Sequence, residues 1–344
     1  MTTAALADAV APHAPASLRS PSPQSPSPQP PFLRPPSCDG EPRTPIALRE
    51  TSAPRRPAED FDISPLRWRA KKIARRAAVR LGQALRKAAP PGKPGPGSVR
   101  VLTYHRFGGS PLDPCSLEPA AFEAQLDWLC EHANVLTPTQ FEAVMSGAIP
   151  APPDAILITI DDGHESVPTH ALPALDRRGV KAVLFVCPQL VGEEGTRRPA
   201  HGGFMSWHAL GDASRSGHTI APHGHSHRSL GRLPLADALA DVDLACAALD
   251  ARLGIRSRFF SFPFGTRADH SPALADALAG RGFRYCFTAS HGRCLPGSPA
   301  LLLPRIKIEG GNEQDLFPHI ARGCIDHWRI VDDALFLLQQ RGRM

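Results

Sequence analysis

The sequence predicts an α/β protein: a distorted (β/α)7, TIM-like barrel of parallel strands behind an N-terminal extension that is predicted to be disordered. Three observations predict it. From Val99 onward, short apolar runs alternate with helical stretches, the pattern of a parallel sheet. That portion is about 245 residues long, close to the roughly 250 of a single α/β barrel. Finally, 19 of the 38 prolines lie before residue 99, where they preclude a dense core.

Taken in order, residues 1–65 are rich in Pro, Ser and Ala, with "PSPQSPSPQPP" at their centre. Such a segment buries too little apolar surface to offset the entropy of ordering, so it is expected to be disordered. Residues 66–98 follow as a basic helix and a Pro/Gly linker, "PPGKPGPG". Leu66, Ala70, Ile73, Ala77, Leu81 and Ala84/Leu85 recur at helical spacing. The run from Leu66 to Lys87 holds nine Lys/Arg and no acid, so the net charge of +6 becomes −3 without it. Basicity is therefore local. A helix of this kind suits a peripheral contact with an anionic membrane through residues 66–87, or a solvated helix packed on the domain. No nucleic-acid partner is expected.

Within residues 99–344 the predicted strands are "VRVLTYH", "AILITIDD", "KAVLFVCP", "HTIAPH", "RFFSFPFG", "RYCFTAS" and "LLLPRIKI". Between them lie helical stretches such as "PAAFEAQLDWLCEH", "LPALDRRG" and "LADALADVDLACAALDARLG". The eight cysteines form no CxxC and several sit in apolar runs, which reads as buried free thiols and a reducing compartment. The N-terminus lacks a charged start followed by an apolar region, and no run reaches about 18 apolar residues, so neither signal peptide nor transmembrane helix is expected. On this reading the protein is cytoplasmic, or peripheral on the inner face of the cytoplasmic membrane.

In a barrel of this kind, chemistry sits at the C-terminal strand ends. One strand here ends in Asp161-Asp162-Gly163, another in His223-Gly-His-Ser-His227, a third in Pro263-Phe-Gly265, and the first in His105. Two adjacent carboxylates cannot both be buried without a cation, since desolvation costs several kcal/mol per ion. Strand alternation points neighbouring side chains in different directions, so one aspartate can bind metal while the other takes a proton. "GHSHRSLGRLP" favours a turn or helix, in which His223 and His227 share a face and His225 points elsewhere. With Asp162 they make a two-histidine, one-carboxylate set that leaves positions open for water and substrate.

"TIDDG", "HGHSH" and "FPFG", in that order, resemble the NodB-homology polysaccharide deacetylases, carbohydrate esterase family four, over roughly Val99 to Ile308. The resemblance implies that Asp161 is the general base and that Asp162, His223 and His227 hold a divalent metal, zinc above others. It further implies a backbone N–H near Phe264 and Gly265 as oxyanion donor, with acetate released from an N-acetylated saccharide. Two family motifs are altered. The usual "RPPYG" is Ser261-Phe-Pro-Phe-Gly265, without the arginine that pairs with the catalytic aspartate; Arg305 in "LLLPRIKI" is a candidate replacement. The late "LxH" that supplies the catalytic acid is missing, but the first strand reads Leu102-Thr-Tyr-His105. That arrangement is similar to the poly-N-acetylglucosamine deacetylases and makes His105 the expected acid. His164 and Trp207 are weaker candidates for the pocket, and His201 and His208 are expected at the surface. Two other readings stay open: cleavage of another non-peptide C–N bond, and a carbohydrate-binding relative with impaired catalysis. An aromatic content of 6% does not point to a long sugar-stacking platform.

Overall fold

Each predicted apolar run from Val99 onward contains a strand. The computed structural model describes residues 64–88, 97–109, 112–192, 196–198, 202–311 and 314–333. Residues 1–63 of the extension expected over 1–65, the linker residues 89–96 and His201 lie outside them; Pro65, expected in the extension, begins the first helix. The strands in those seven runs are β1 (Val99–Tyr104), β2 (Ala155–Ile160), β3 (Val183–Val186), β4 (Thr219–Pro222), β5 (Phe259–Ser261), β6 (Tyr285–Phe287) and β7 (Ile306–Lys307), and five strands of two or three residues lie outside the runs. Eight α-helices accompany them: α1 (Pro65–Ala88), α2 (Pro119–His132), α3 (Pro138–Met145), α4 (Leu172–Arg177), α5 (Trp207–Arg215), α6 (Leu235–Leu253), α7 (Pro272–Gly280) and α8 (Phe317–Ala321). Local chemistry sets their ends. Thr137 and Gln140 form a reciprocal capping box at α3. Gly254 closes α6 in the left-handed conformation.

The strands pair in the order β7-β1-β2-β3-β4, all parallel, and β5 and β6 form a separate parallel pair. A bridge between Phe287 and Leu303 ties β6 to the run leading into β7. The distortion falls between β4 and β5, which share no ladder among the described residues. Pro222 brings no N–H to that edge, and the chain turns away at Gly224 with φ 67°. First and last strands are neighbours, with Leu102 opposite Ile306 and Thr103 opposite Lys307.

Strand alternation then divides the buried side chains between an inner file and outer clusters. Val101, Leu157, Val183, Phe185, Ala221, Phe259 and Phe287 share one buried cluster, joined by Phe141, Val144 and Met145 of α3. Leu102, Ile156, Ile158, Leu184 and Ile220 belong to another, shared with α2, α4 and α5. Followed upward along the first file, the side chains turn polar: Thr103 then His105, Thr159 then Asp161, Ala221 then His223, Ser261 after Phe259, and Arg305 after Leu303. The candidate site is the top layer of that file.

Helix α1 belongs to the same compact unit, Arg56–Met344, as the strands. It docks with a face the sequence pattern does not single out: Trp68, Arg75, Val79 and Gly82 are its buried residues. Arg75 is only 1% exposed and lies 3.7 Å from Glu309, which Lys71 also contacts at 2.7 Å. Arg76 makes a two-point contact with Asp315 at 2.7 and 3.0 Å. A Cβ at Gly82 would lie 1.9 Å from the Cys324 carbonyl oxygen, so only glycine permits this approach. Charge pairing selects the docked face, and the stripe of Leu66, Ile73, Leu81 and Leu85 faces outward.

Candidate active site

Asp161 ends β2 at 2% exposure, and Arg305 comes to it from the run into β7. The guanidinium donates to both carboxylate oxygens, at 2.8 and 2.7 Å. It also donates to the Ser261 hydroxyl at 2.8 Å and the Thr288 carbonyl at 2.9 Å, and lies 5.5 and 5.9 Å from the Phe185 and Phe287 rings. Burial pushes the Asp161 carboxyl up, but Arg305 and then His223 bring it below the ordinary carboxylate range. Asp161 is therefore an anion at neutral pH, fixed in orientation by a rigid fork. Ser261, at the position where the motif arginine is usual, has become a hydrogen-bond partner of the arginine that arrives from β7.

Asp162, one residue on, leaves the strand alternation and faces the same site: His223 Nε2 lies 3.9 Å from an Asp161 oxygen and 3.5 Å from an Asp162 oxygen. The Asp162 φ of 72° puts it in the left-handed region, as do the 55° of His227 and the 63° of Phe264. Three of the four non-glycine residues with positive φ among those described thus meet at one place. Strain of this sort, of order 1–3 kcal/mol per residue, persists where surrounding structure holds it for function. Asp162 Oδ1 lies 3.5 Å from His223 Nε2 and 3.2 Å from His227 Nε2. One ligand atom from each of the three residues lies within 4.8 Å of the other two.

The donor set fits a divalent cation. His223 Nδ1 sits 2.8 Å from the Ser261 carbonyl oxygen, which can only accept, so Nδ1 carries the proton. Burial lowers the His223 pKa, leaving the ring neutral with its Nε2 lone pair directed at the site. That lone pair then opposes a carboxylate oxygen that is buried and accepts no hydrogen bond. Facing acceptors repel, and a cation between them converts the repulsion to ligation. Burial also opposes the His227 charge, but the Asp162 carboxylate outweighs it and raises that ring's pKa.

The loop bearing the two histidines is held from α6 by Asp241, a residue that strand-end reasoning misses. Its carboxylate accepts the His225 N–H at 2.7 Å and the Ser226 hydroxyl. Gly224 is required beneath it, since a Cβ there would lie 2.9 Å from Asp241 Oδ2. The signal was present: Asp241 shares the apolar face of α6 with Ala238, Val242, Ala245 and Leu249, an acid where a hydrophobe is expected. His225 contributes its backbone to this contact, and its ring is not among the three grouped ligands.

Of the expected oxyanion donors, Gly265 is corrected. Its N–H already donates to the Pro263 carbonyl at 2.7 Å, closing a three-residue turn. The Phe264 N–H remains as the candidate donor; the ring is 56% exposed and lies 4.7 Å from that of His227. The same tight turn brings Gly265 so close to Ala289 that a Cβ would meet its nitrogen at 2.6 Å. His105 lies among these charges, with Asp162 and Asp161 raising its pKa and Lys307 and Arg305 opposing them. Burial dominates and pushes it down to about 4, and its buried Nδ1 has no hydrogen-bond partner.

The weaker candidates go elsewhere. His164 packs 5.2 Å from the Phe204 ring. Trp207 is half-buried against the outer core beneath Arg252. His208 is exposed and pairs with Asp212. All seven described cysteines are free; Cys187, Cys286, Cys294 and Cys324 are buried, whereas Cys130 is exposed.

Comparison with known proteins matches this geometry to a family. Residues 148–284 match the profile of the polysaccharide deacetylases, a span that carries Asp161, Asp162, His223, His227 and Phe264 but not His105 or Arg305. IcaB from Ammonifex degensii superposes with a TM-score of 0.57 at 26% identity, over 67% of this chain and 97% of that one. The Streptococcus pyogenes deacetylase PplD, solved in complex with acetate, shares the fold with a TM-score of 0.57 at 17% identity, over 67% and 99% of the two chains. YxkH of Bacillus subtilis (strain 168) is 20% identical over 223 residues, 64% of this chain and 75% of that relative. With the strand-end carboxylates and histidines inside the matched span, residues 148–284 of this chain match the polysaccharide deacetylases, a family of hydrolases.

Proposed function

We propose that the protein removes N-acetyl groups from N-acetylhexosamine units of a polysaccharide or lipid-linked saccharide. The observation that carries this reading is the adjacency of two differently specialised carboxylates: Asp161 locked to Arg305, and Asp162 grouped with His223 and His227. In this reading Asp162, His223 and His227 hold a divalent metal, with Zn²⁺ as first choice for two imidazoles and a carboxylate. When bound, such an ion supplies Lewis acidity toward the amide carbonyl and acidifies water.

The remaining steps belong to the chain. Asp161, kept anionic by Arg305, removes the proton from the attacking water. The Phe264 N–H is assigned to the carbonyl oxygen as negative charge develops there. His105 is assigned the proton that the nitrogen takes as the C–N bond breaks. Burial leaves its resting ring neutral at pH 7, with a pKa of about 4, so the proton it delivers is the one Asp161 removed from water, relayed through the ring to the nitrogen and leaving Asp161 anionic again. Acetate and a free amine are the products.

The test is acetate release from defined N-acetylglucosamine oligomers by the purified full chain, with chelator and with Zn²⁺ restored. Release that is lost to chelator and regained with metal supports the reading. A metal-loaded protein that binds oligomers without releasing acetate favours the carbohydrate-binding alternative.

A further inference from the structure

The outward face of α1 goes beyond the chemistry of the site. The helix runs 24 residues, about 36 Å at 1.5 Å per residue. Trp68, Arg75, Val79 and Gly82 turn one side to the domain. On the other side Leu66, Ile73, Leu81 and Leu85 are 80, 69, 53 and 55% exposed. Ala70, Ala77 and Ala84, also exposed, fill the gaps between them. Arg69, Arg80 and Lys87 border one edge of this stripe and Arg67 the other, all exposed. The two sides of the helix are thus spent differently: one on charge pairing with Glu309 and Asp315, the other on an apolar stripe edged with cations.

We propose that this face is a docking surface for an anionic lipid bilayer, on which α1 lies flat and carries the hydrolase domain. Charge complementarity argues for lipid. Guanidinium and ammonium groups at the stripe edges sit where phosphate headgroups would be, while the leucines and isoleucine between them enter the acyl boundary. A nucleic acid gives those four side chains no apolar partner. A second copy would bring like charges edge to edge. No helix among the described residues is long and apolar enough to cross a membrane, and the proposal requires only that α1 rest on the surface.

The experiment is vesicle co-sedimentation of the full chain, using phosphatidylcholine vesicles with and without phosphatidylglycerol. Each Lys or Arg near an anionic surface contributes about fivefold to binding, so the four edge residues predict partition onto the anionic vesicles at least ~100-fold above that onto neutral ones. Raising the salt should weaken it. Ile73→Asp with Leu81→Asp, and separately Arg69→Glu with Lys87→Glu, should each lower partition at least tenfold. Thermal melting and acetate release from soluble oligomers should be unchanged, since these side chains face away from the domain. Equal binding to neutral and anionic vesicles, or parental binding by both double variants, would overturn the proposal. It is likewise overturned by a chain that ignores vesicles but becomes monomeric on the Ile73 and Leu81 changes. Selective retention of duplex DNA in place of vesicles overturns it too.

Discussion

Replacing Arg305 with methionine keeps much of the side-chain volume and removes its charge. Asp161 is 2% exposed and receives two guanidinium hydrogen bonds, at 2.8 and 2.7 Å. The variant leaves that carboxylate buried without its main counter-charge. Removing one partner of a buried pair costs about 3–5 kcal/mol. In a folded unit of this size each kcal/mol moves Tm by about 2–4 °C, so a fall on the order of 10 °C is expected. The pH dependence identifies the cause. With Arg305 present, the folded pKa of Asp161 lies below its ordinary 3.8, so its stabilisation is present above that value and lost as pH falls through the folded pKa. Without Arg305, burial prevails and raises the folded pKa, so the carboxylate destabilises the fold increasingly as pH rises above about 4. The Tm deficit should therefore be large at pH 7 and narrow toward pH 4. A residue remains from the lost bonds to Ser261 and Thr288. The acid limb of kcat/KM for acetate release should move up by the same protonation. Unchanged turnover and acid limb, or a deficit equal at both pH values, would refute the pairing argument.

The other predictions separate roles within the site. Asp161→Asn should lose about 10²–10⁴-fold in kcat with metal content unchanged by elemental analysis, whereas Asp162→Asn should lose the metal itself. Asp241→Asn should weaken metal affinity by about 10–100-fold in a competition titration, because the His223–His227 loop loses its anchor. Finally, Arg75, Lys71 and Lys307 overcome the burial of Glu309 and bring its carboxyl to about 2 from an ordinary 4.5. Its contribution to holding α1 is complete above 4.5 and lost as pH falls toward 2, so amide exchange in α1 should rise over that interval and stay flat in Glu309→Gln.

Strand-end reading carried far because a parallel barrel converts sequence position into height. Apolar runs closing in "DD", "HGHSH" and "H" predicted residues that the fold brings to one layer; the period-2 file from Leu157 carries Asp161 there, and Asp162 joins it only because its φ of 72° breaks the alternation. Three things were less legible. Asp241 acts from mid-helix, where its meaning depends on which loop α6 passes under. The sequence places Gly265 beside Phe264 as a donor, but a local turn engages its N–H. In α1 the hydrophobic spacing was read correctly as periodic, yet the docked face was chosen by Arg75 and Glu309, partners 234 positions apart in the chain. Long-range charge pairing has no period for a sequence to display.

The neighbouring placement of β1 and β7 has a consequence for biosynthesis. His105 leaves the ribosome some 200 residues before Arg305, an interval of about 10–40 s at 5–20 residues per second. Until β7 arrives, Asp161 has no arginine and β1 has an open flank; α1 lacks the Glu309 and Asp315 that seat it. The nascent chain thus carries its carboxylates and histidines early but is unarmed. The closing strand completes the base, the barrel edge and the seat of the helix together, so a chain interrupted before residue 305 retains the recognisable motifs without the arginine that pairs with Asp161.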